Sequence, residues 1–182
     1  LEHMAQVLFE IHQRILQQAP VTIQPNFFTH MHQSLEDLFS FISRNQVDVS
    51  DERLSQQRIA QLHAVDHLLR LNARTLSVFD HQETIDPAAL SLVAEYSLPL
   101  IQKALSYDAQ TADEHWVASI KANANKIRAI TAESRRELLK HPDRVSTTGN
   151  ILTKTETLRW LERSSHHIWR TCNYLVLGRG QQ

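Results

Sequence analysis

At 182 residues, with 42% hydrophobic and 21% charged side chains, the chain is one domain or two small ones, apolar enough for a core, which excludes intrinsic disorder. A formal charge of -1 and a pI of about 6.9 argue against a dedicated nucleic-acid binder. One cysteine excludes an internal disulfide and any multi-cysteine zinc site, and three glycines leave little material for phosphate-cradling loops or most β-rich folds. No apolar run approaches the roughly 20 residues that cross a bilayer.

Leu1-Glu2-His3, ahead of Met4, reads as a vector-derived remnant. Spacing of apolar residues near 3.6 then predicts six helices. The first covers Met4 to Gln18, with Met4, Leu8, Ile11 and Ile15 on one face. After a linker from Pro20 to Pro25, the second covers Asn26 to Arg44, with Phe28, Met31, Leu35, Leu38 and Ile42 inward. Asn45 to Ser50 is a polar turn whose Ser50 caps a third helix from Asp51 to Asp80. Asp86-Pro87 opens a fourth, which runs to Tyr107 and should kink at Pro99. Thr111 and Glu114 form a candidate capping box for a fifth helix ending near His141-Pro142. A loop from Asp143 to Asn150 leads to the sixth, with Thr153 and Glu156 as another candidate box and an end at Gly178. Nothing reads as a strand longer than Val21 to Ile23. Helices of this length lie along one another in bundles, so the predicted class is all-α.

Sliding the third helix onto the sixth at an offset of 96 residues reveals an internal repeat. Leu62 meets Leu158, Val65 meets Leu161, Asp66 meets Glu162, Arg74 meets Arg170 and Thr75 meets Thr171. Both helices then share an inward seam: Leu62, Val65, Leu69, Asn72, Leu76 and Phe79 in one, Leu158, Leu161, Ser165, Ile168, Cys172 and Leu175 in the other. The same alignment makes Leu69 and Leu161 both buried seam residues. The implied organisation is two tandem three-helix repeats, 4–80 and 86–178, forming one elongated bundle.

Two such repeats, with third helices reading Leu-x-x-Val-Asp66 and Leu-x-x-Leu-Glu162-Arg163, resemble the PhoU family. The stretch Leu62-His-Ala-Val-Asp-His-Leu-Leu-Arg70 is similar to the PhoU-like domain on the cytoplasmic side of bacterial sodium/phosphate cotransporters. The resemblance implies a non-enzymatic regulator of phosphate uptake at the inner face of the cell membrane. Its implied partner is a membrane transporter segment of the same native chain or another phosphate-uptake protein, with a homodimer as a further option and no nucleic acid. On that reading Met4 is a cut point, and the native frame upstream encodes several membrane-spanning segments.

The resemblance also implies metal clusters held by an acid, three residues, then an Asp. Asp66 and Glu162 match the first acid; Arg70 and His166 stand at the second. A guanidinium stays cationic and cannot be a ligand, so Arg70 is better placed as an ion-pair partner of Asp66 one turn away. Glu162 with His166 retains two potential ligands of a weak transition-metal site, against the plainer reading of a solvated pair. No cofactor is required, and protein purified without added metal should be largely empty. His63 and His67 have a chelating i,i+4 spacing, but Ala64 stands where a zincin carries Glu. Adjacent His166 and His167 point about 100° apart on a helix and do not chelate together easily.

Cys172 on the inward seam reads as a small apolar core group with no base beside it, so covalent catalysis by this thiol is not expected. The fifth helix carries Lys121, Lys126, Arg128, Arg135, Arg136 and Lys140 against Glu133 and Glu137. That is either a solvated face or a dock for an anionic partner. Trp116, Trp160 and Trp169 read as core or interface packing. The alternative to a regulator is a metal-binding helical bundle with a sensing, storage or enzymatic role.

Overall fold

Every element among the described residues is an α-helix, as the apolar spacing predicts. The structure is a computed structural model describing residues 1–21, 24, 26–44, 51–80, 85–140 and 148–179, with backbone alone at 79, 80 and 148–150. In chain order the helices are α1 (Glu2–Leu16), α2 (Asn26–Arg44), α3 (Glu52–Asp80), α4 (Pro87–Ser91), α5 (Ala94–Leu105), α6 (Glu114–Lys140) and α7 (Thr148–Leu177). The long ones, α3, α6 and α7, have 29, 27 and 30 residues. At 1.5 Å rise each is about 40–45 Å long.

The helix starts follow side-chain chemistry, though not always at the expected residue. Asp86 Oδ1 accepts from the Ala89 N–H at 2.8 Å with Pro87 in the first turn, as the sequence predicts. For α6 the cap is Asp113 rather than Thr111: its Oδ1 accepts from the Trp116 N–H at 2.8 Å, while the Thr111 hydroxyl bonds Asp108. For α3 it is Asp51, whose Oδ1 accepts from the Leu54 N–H at 3.0 Å; Ser50 lies outside the described residues, as do the rest of the 45–50 turn, Thr22 and Ile23. Carboxylates win these positions because they accept more strongly than a hydroxyl and favour the positive helix end. α7 begins at Thr148, so Thr153 is helix interior and cannot cap it.

The predicted fourth helix is two. The break falls at Leu92-Val93, where Val93 has φ -118 and ψ 0, and Pro99 sits within α5. Val93 is fully buried there, and the break lets Leu90, Val93, Leu100 and Ile101 all face one core. Burial of four apolar residues outweighs a few lost helical hydrogen bonds.

α7 is the hub of the packing: α3 lies along it, α6 along another side, and α4 and α5 also touch it. α2 covers α3, and α1 rests on α5 and α4. One core cluster therefore joins Met4, Leu8 and Ile11 of α1 with Leu71 of α3, Leu100 of α5, Ile127 of α6 and Ile168 of α7. The whole predicted stripe of α1 (Met4, Leu8, Ile11, Ile15) is buried, each side chain contributing about 1.5–3 kcal/mol. Leu1 also packs against this core.

The seam of α7 matches the prediction at Leu158, Leu161, Ser165, Ile168 and Cys172, all buried; Leu175 is half-buried. On α3 the buried stripe is rotated: Ala64, Val65, Leu68, Leu71, Asn72, Thr75 and Val78 are buried, while Leu62, Leu69 and Leu76 are only half-buried. The Phe79 side chain lies outside the description. The rotation has a cause, because α3 must serve α7 on one side and α2 on the other. Leu69 turns toward α2, joining Leu35, Val65 and Leu68. Asn72 is tolerated in the interior because its Nδ2 donates to the Phe28 carbonyl at 2.9 Å. α2 itself buries only Phe28 and Leu35; Leu38, expected inward, is 44% exposed. Where α7 ends, Gly178 comes so close to α3 that an added Cβ would lie 3.1 Å from Gln61 Cγ.

Candidate functional site

The titratable side chains concentrate where α3 meets α7. From α3 come His63, Asp66, His67 and Arg70; from α7 come Glu162, His166, His167, Arg170 and Tyr174. The i,i+3 and i,i+4 spacings that the sequence shows gather them along two long helices that run antiparallel, Gln61 meeting Gly178, His63 meeting Tyr174 and His67 meeting His167. Which rings meet depends on the register between the rods.

The two acids matched to the PhoU motif are each tied to an arginine. Asp66 Oδ2 accepts from Arg70 Nε at 2.8 Å, the expected pairing one turn apart. Glu162 Oε2 accepts from Arg135 Nη2 at 2.6 Å, across to α6. His166, one turn beyond Glu162, turns its ring edge-on to Trp169 at 5.6 Å. Among the described residues no three His, Cys, Asp or Glu side chains are grouped to hold a metal ion. The Arg135–Glu162 pair is about three-quarters shielded, whereas Asp66 and Arg70 are largely exposed. Arg135→Ala should therefore lower stability by about 1 kcal/mol, and Arg70→Ala by distinctly less, in matched urea unfolding curves.

His63 and His67 do not converge on each other. Both rings stack on Tyr174, with centroids at 4.8 and 5.7 Å. His67 instead reaches across to α7, where its Nδ1 lies 3.0 Å from Nδ1 of His167. One ring must carry its proton on Nδ1 and the other on Nε2 for that contact to be a hydrogen bond. Burial, then Arg170, pushes His67 down to about 4. Burial, then His67 and His166, does the same to His167. His166 is also lowered, first by burial and then by Arg170 and Arg128. All three shifts favour the neutral imidazole.

Trp169 closes the cluster, with Lys121 Nζ and the Arg170 guanidinium each 5.3 Å from its ring centre. Of the other α6 charges, Arg136 pairs with Glu133 and Lys140 with Glu137, as on a solvated helix face. Cys172 is fully buried, and burial pushes its thiol up to about 12, leaving no thiolate to react. Trp160 is buried, and Trp116 and Trp169 pack against the core, as read from the sequence.

Two features escaped the sequence reading. His12, at the edge of the α1 stripe, is 3% exposed; its Nδ1 donates to the Leu8 carbonyl at 2.8 Å, and its ring lies 5.6 Å from Trp160. Its place one residue after Ile11 and four after Leu8 was the available signal. The His67–His167 contact had no such signal, since it depends on the register of two helices 100 residues apart. Comparison with protein-family models, with curated proteins and with solved structures finds no match for this chain.

Proposed function

We propose that the chain is a non-enzymatic regulatory domain of phosphate uptake, placed at the cytoplasmic face of the membrane and acting by contact with a sodium/phosphate transporter. The reading rests on the PhoU-like residues of α3 and α7. The all-helical bundle of long rods supports it, since it is the architecture that resemblance implies. The observation that carries its metal-independent form is the fate of the two motif acids. Asp66 is engaged by Arg70 and Glu162 by Arg135, so neither carboxylate needs a cation for charge balance. Such a domain transmits its state through its surface.

The experiment is labelled-phosphate uptake by cells of the source organism with the segment deleted and then restored. Uptake should change severalfold on deletion and return on restoration. Recovery by Glu162→Gln as well as by the parent would support the metal-independent form. Uptake indifferent to the deletion would remove the reading.

A further inference from the structure

α7 carries a neighbour on each flank and leaves one side open. At about 100° per residue, its side chains that meet α3 (His167 and Tyr174) and those that meet α6 (Glu162 and Trp169) fall about 140° apart. Leu161, Ile168 and Cys172 point to the inner side, where α1, α4 and α5 close the core. On the outer side, between the flanks, stand Arg159, Arg163 and His166, all exposed, with Arg170 half-buried beside them. The three long helices thus form a layer with one uncovered face.

That face is cationic. On its α3 edge, Arg70 and Arg74 lie close enough to His167 to depress its basicity. On its α6 edge, Lys121, Arg128 and Arg135 recur every second turn of the helix. Lys121 lies over Trp169, Arg128 acts on His166, and Arg135 bonds Glu162. The carboxylates among them are already engaged: Asp66 by Arg70, Glu156 by Arg159 and Glu162 by Arg135. Glu52 and Glu114 stand at the outlying starts of α3 and α6. Arg74, Lys121, Arg128, Arg163 and Arg170 have no carboxylate partner among the described residues. From Arg159 to Arg170 the patch runs about 17 Å along α7, and about 20 Å across the three helix axes. Since the whole chain has a net charge of -1, the remaining surface carries a negative excess.

We propose that this face docks the protein onto an anionic lipid bilayer. The charges are spread over three helices lying side by side, which suits a plane of headgroups; a single ion or a peptide strand would need them to converge in a cleft. Each lysine or arginine held near such a surface adds attraction that decays within a Debye length. Trp169 and Tyr174, half-buried between the cations, are the amphipathic ring types that settle at headgroup level. A second copy of the chain is excluded as the occupant, because two such faces repel each other. The negative remainder of the surface is repelled by the bilayer and turns the cationic face toward it. The inference deepens the placement proposed above and takes from that reading only the choice of membrane side. Vesicle binding can hold while uptake proves indifferent to the domain, and the reverse.

The test is co-sedimentation of the full chain with vesicles of phosphatidylcholine, alone or with about one-third phosphatidylserine, at neutral pH. The phosphatidylserine vesicles should bind the chain and the neutral ones should not. Raising salt from about 0.05 to about 0.5 M should weaken binding at least tenfold. Arg128→Glu and Arg163→Glu should each weaken it by about tenfold or more. Lys126→Glu makes the same change of charge on the far flank of α6 and should bind within about twofold of the parent. None of these three side chains makes a hydrogen bond or ion pair among the described residues, so circular dichroism and Tm should stay at parental values. Absence of binding, equal binding to neutral vesicles, or an equal loss in Lys126→Glu overturns the proposal. So does tighter binding to polyglutamate or to a DNA duplex at matched charge concentration, which would give the face to a different polyanion.

Discussion

Truncating Leu161 to alanine is expected to cost 2–5 kcal/mol, toward the upper end, whereas Leu69→Ala costs clearly less. Leu161 is 3% exposed on α7 and belongs to the cluster shared with α1 and α5. It already borders a small cavity of about 10 Å³ lined by Leu8, His12, Leu100 and Ile168. Removing its branched end enlarges that space within walls supplied by three separate helices, which collapse poorly. Each unfilled cubic ångström costs about 24 cal/mol on top of the lost transfer energy. Leu69 is half-buried against α2, where its neighbours Leu35 and Leu68 can shift and solvent is near. Urea unfolding of both variants, fitted with a common m-value, measures the difference. A loss below about 0.5 kcal/mol at Leu161 would mean that α7 is not seated against α1 and α5.

Acidification is expected to destabilise the fold through His12. Burial pushes this imidazole down to about 4, against 6.5 for an unperturbed histidine, and its single hydrogen bond to Leu8 offsets little of that. The folded pKa lies below the unfolded one, so the unfolded chain binds more protons between the two. Stability is therefore full above about pH 6.5, falls as the pH drops toward 4, and levels off below. A shift of that size corresponds to about 3 kcal/mol at most. His67, His166 and His167 act in the same direction, but they are partly exposed and solvent screens their share. His12→Leu isolates the buried group: the stability difference between parent and variant should change by about 3 kcal/mol between pH 7.5 and pH 4. A difference that stays constant with pH would mean that His12 is solvated in the folded protein.

How much of this was legible follows from what each feature depends on. The α1 stripe and most of the α7 seam are periodic patterns on one helix, and one helix's pattern is contained in its own sequence. The α3 stripe was misplaced by about one residue because that helix has two neighbours. Its apolar arc is wide, and the sequence does not say which part faces which. Capping residues of α3, α4 and α6 were found to within two positions, since several acceptors crowd each helix start, whereas the start of α7 was placed at least five residues late. The split at Leu92-Val93 arises from burial demanded by other helices and overrides the local signal of Pro99. In the candidate site, the Asp66–Arg70 pair is local and was expected. The Arg135–Glu162 pair and the His67–His167 contact are products of helix register, which only the packed structure supplies.

The single thiol of Cys172, sealed on the buried face of the hub helix in its last two turns, turns the protein into its own clock. A small disulfide reagent can reach it only when α7 parts from its neighbours. If reclosing is fast, the labelling rate is the free-thiol rate multiplied by the opening constant. Each 1.4 kcal/mol removed from the bundle then quickens labelling about tenfold. One absorbance trace in native buffer would thus rank core variants without denaturant.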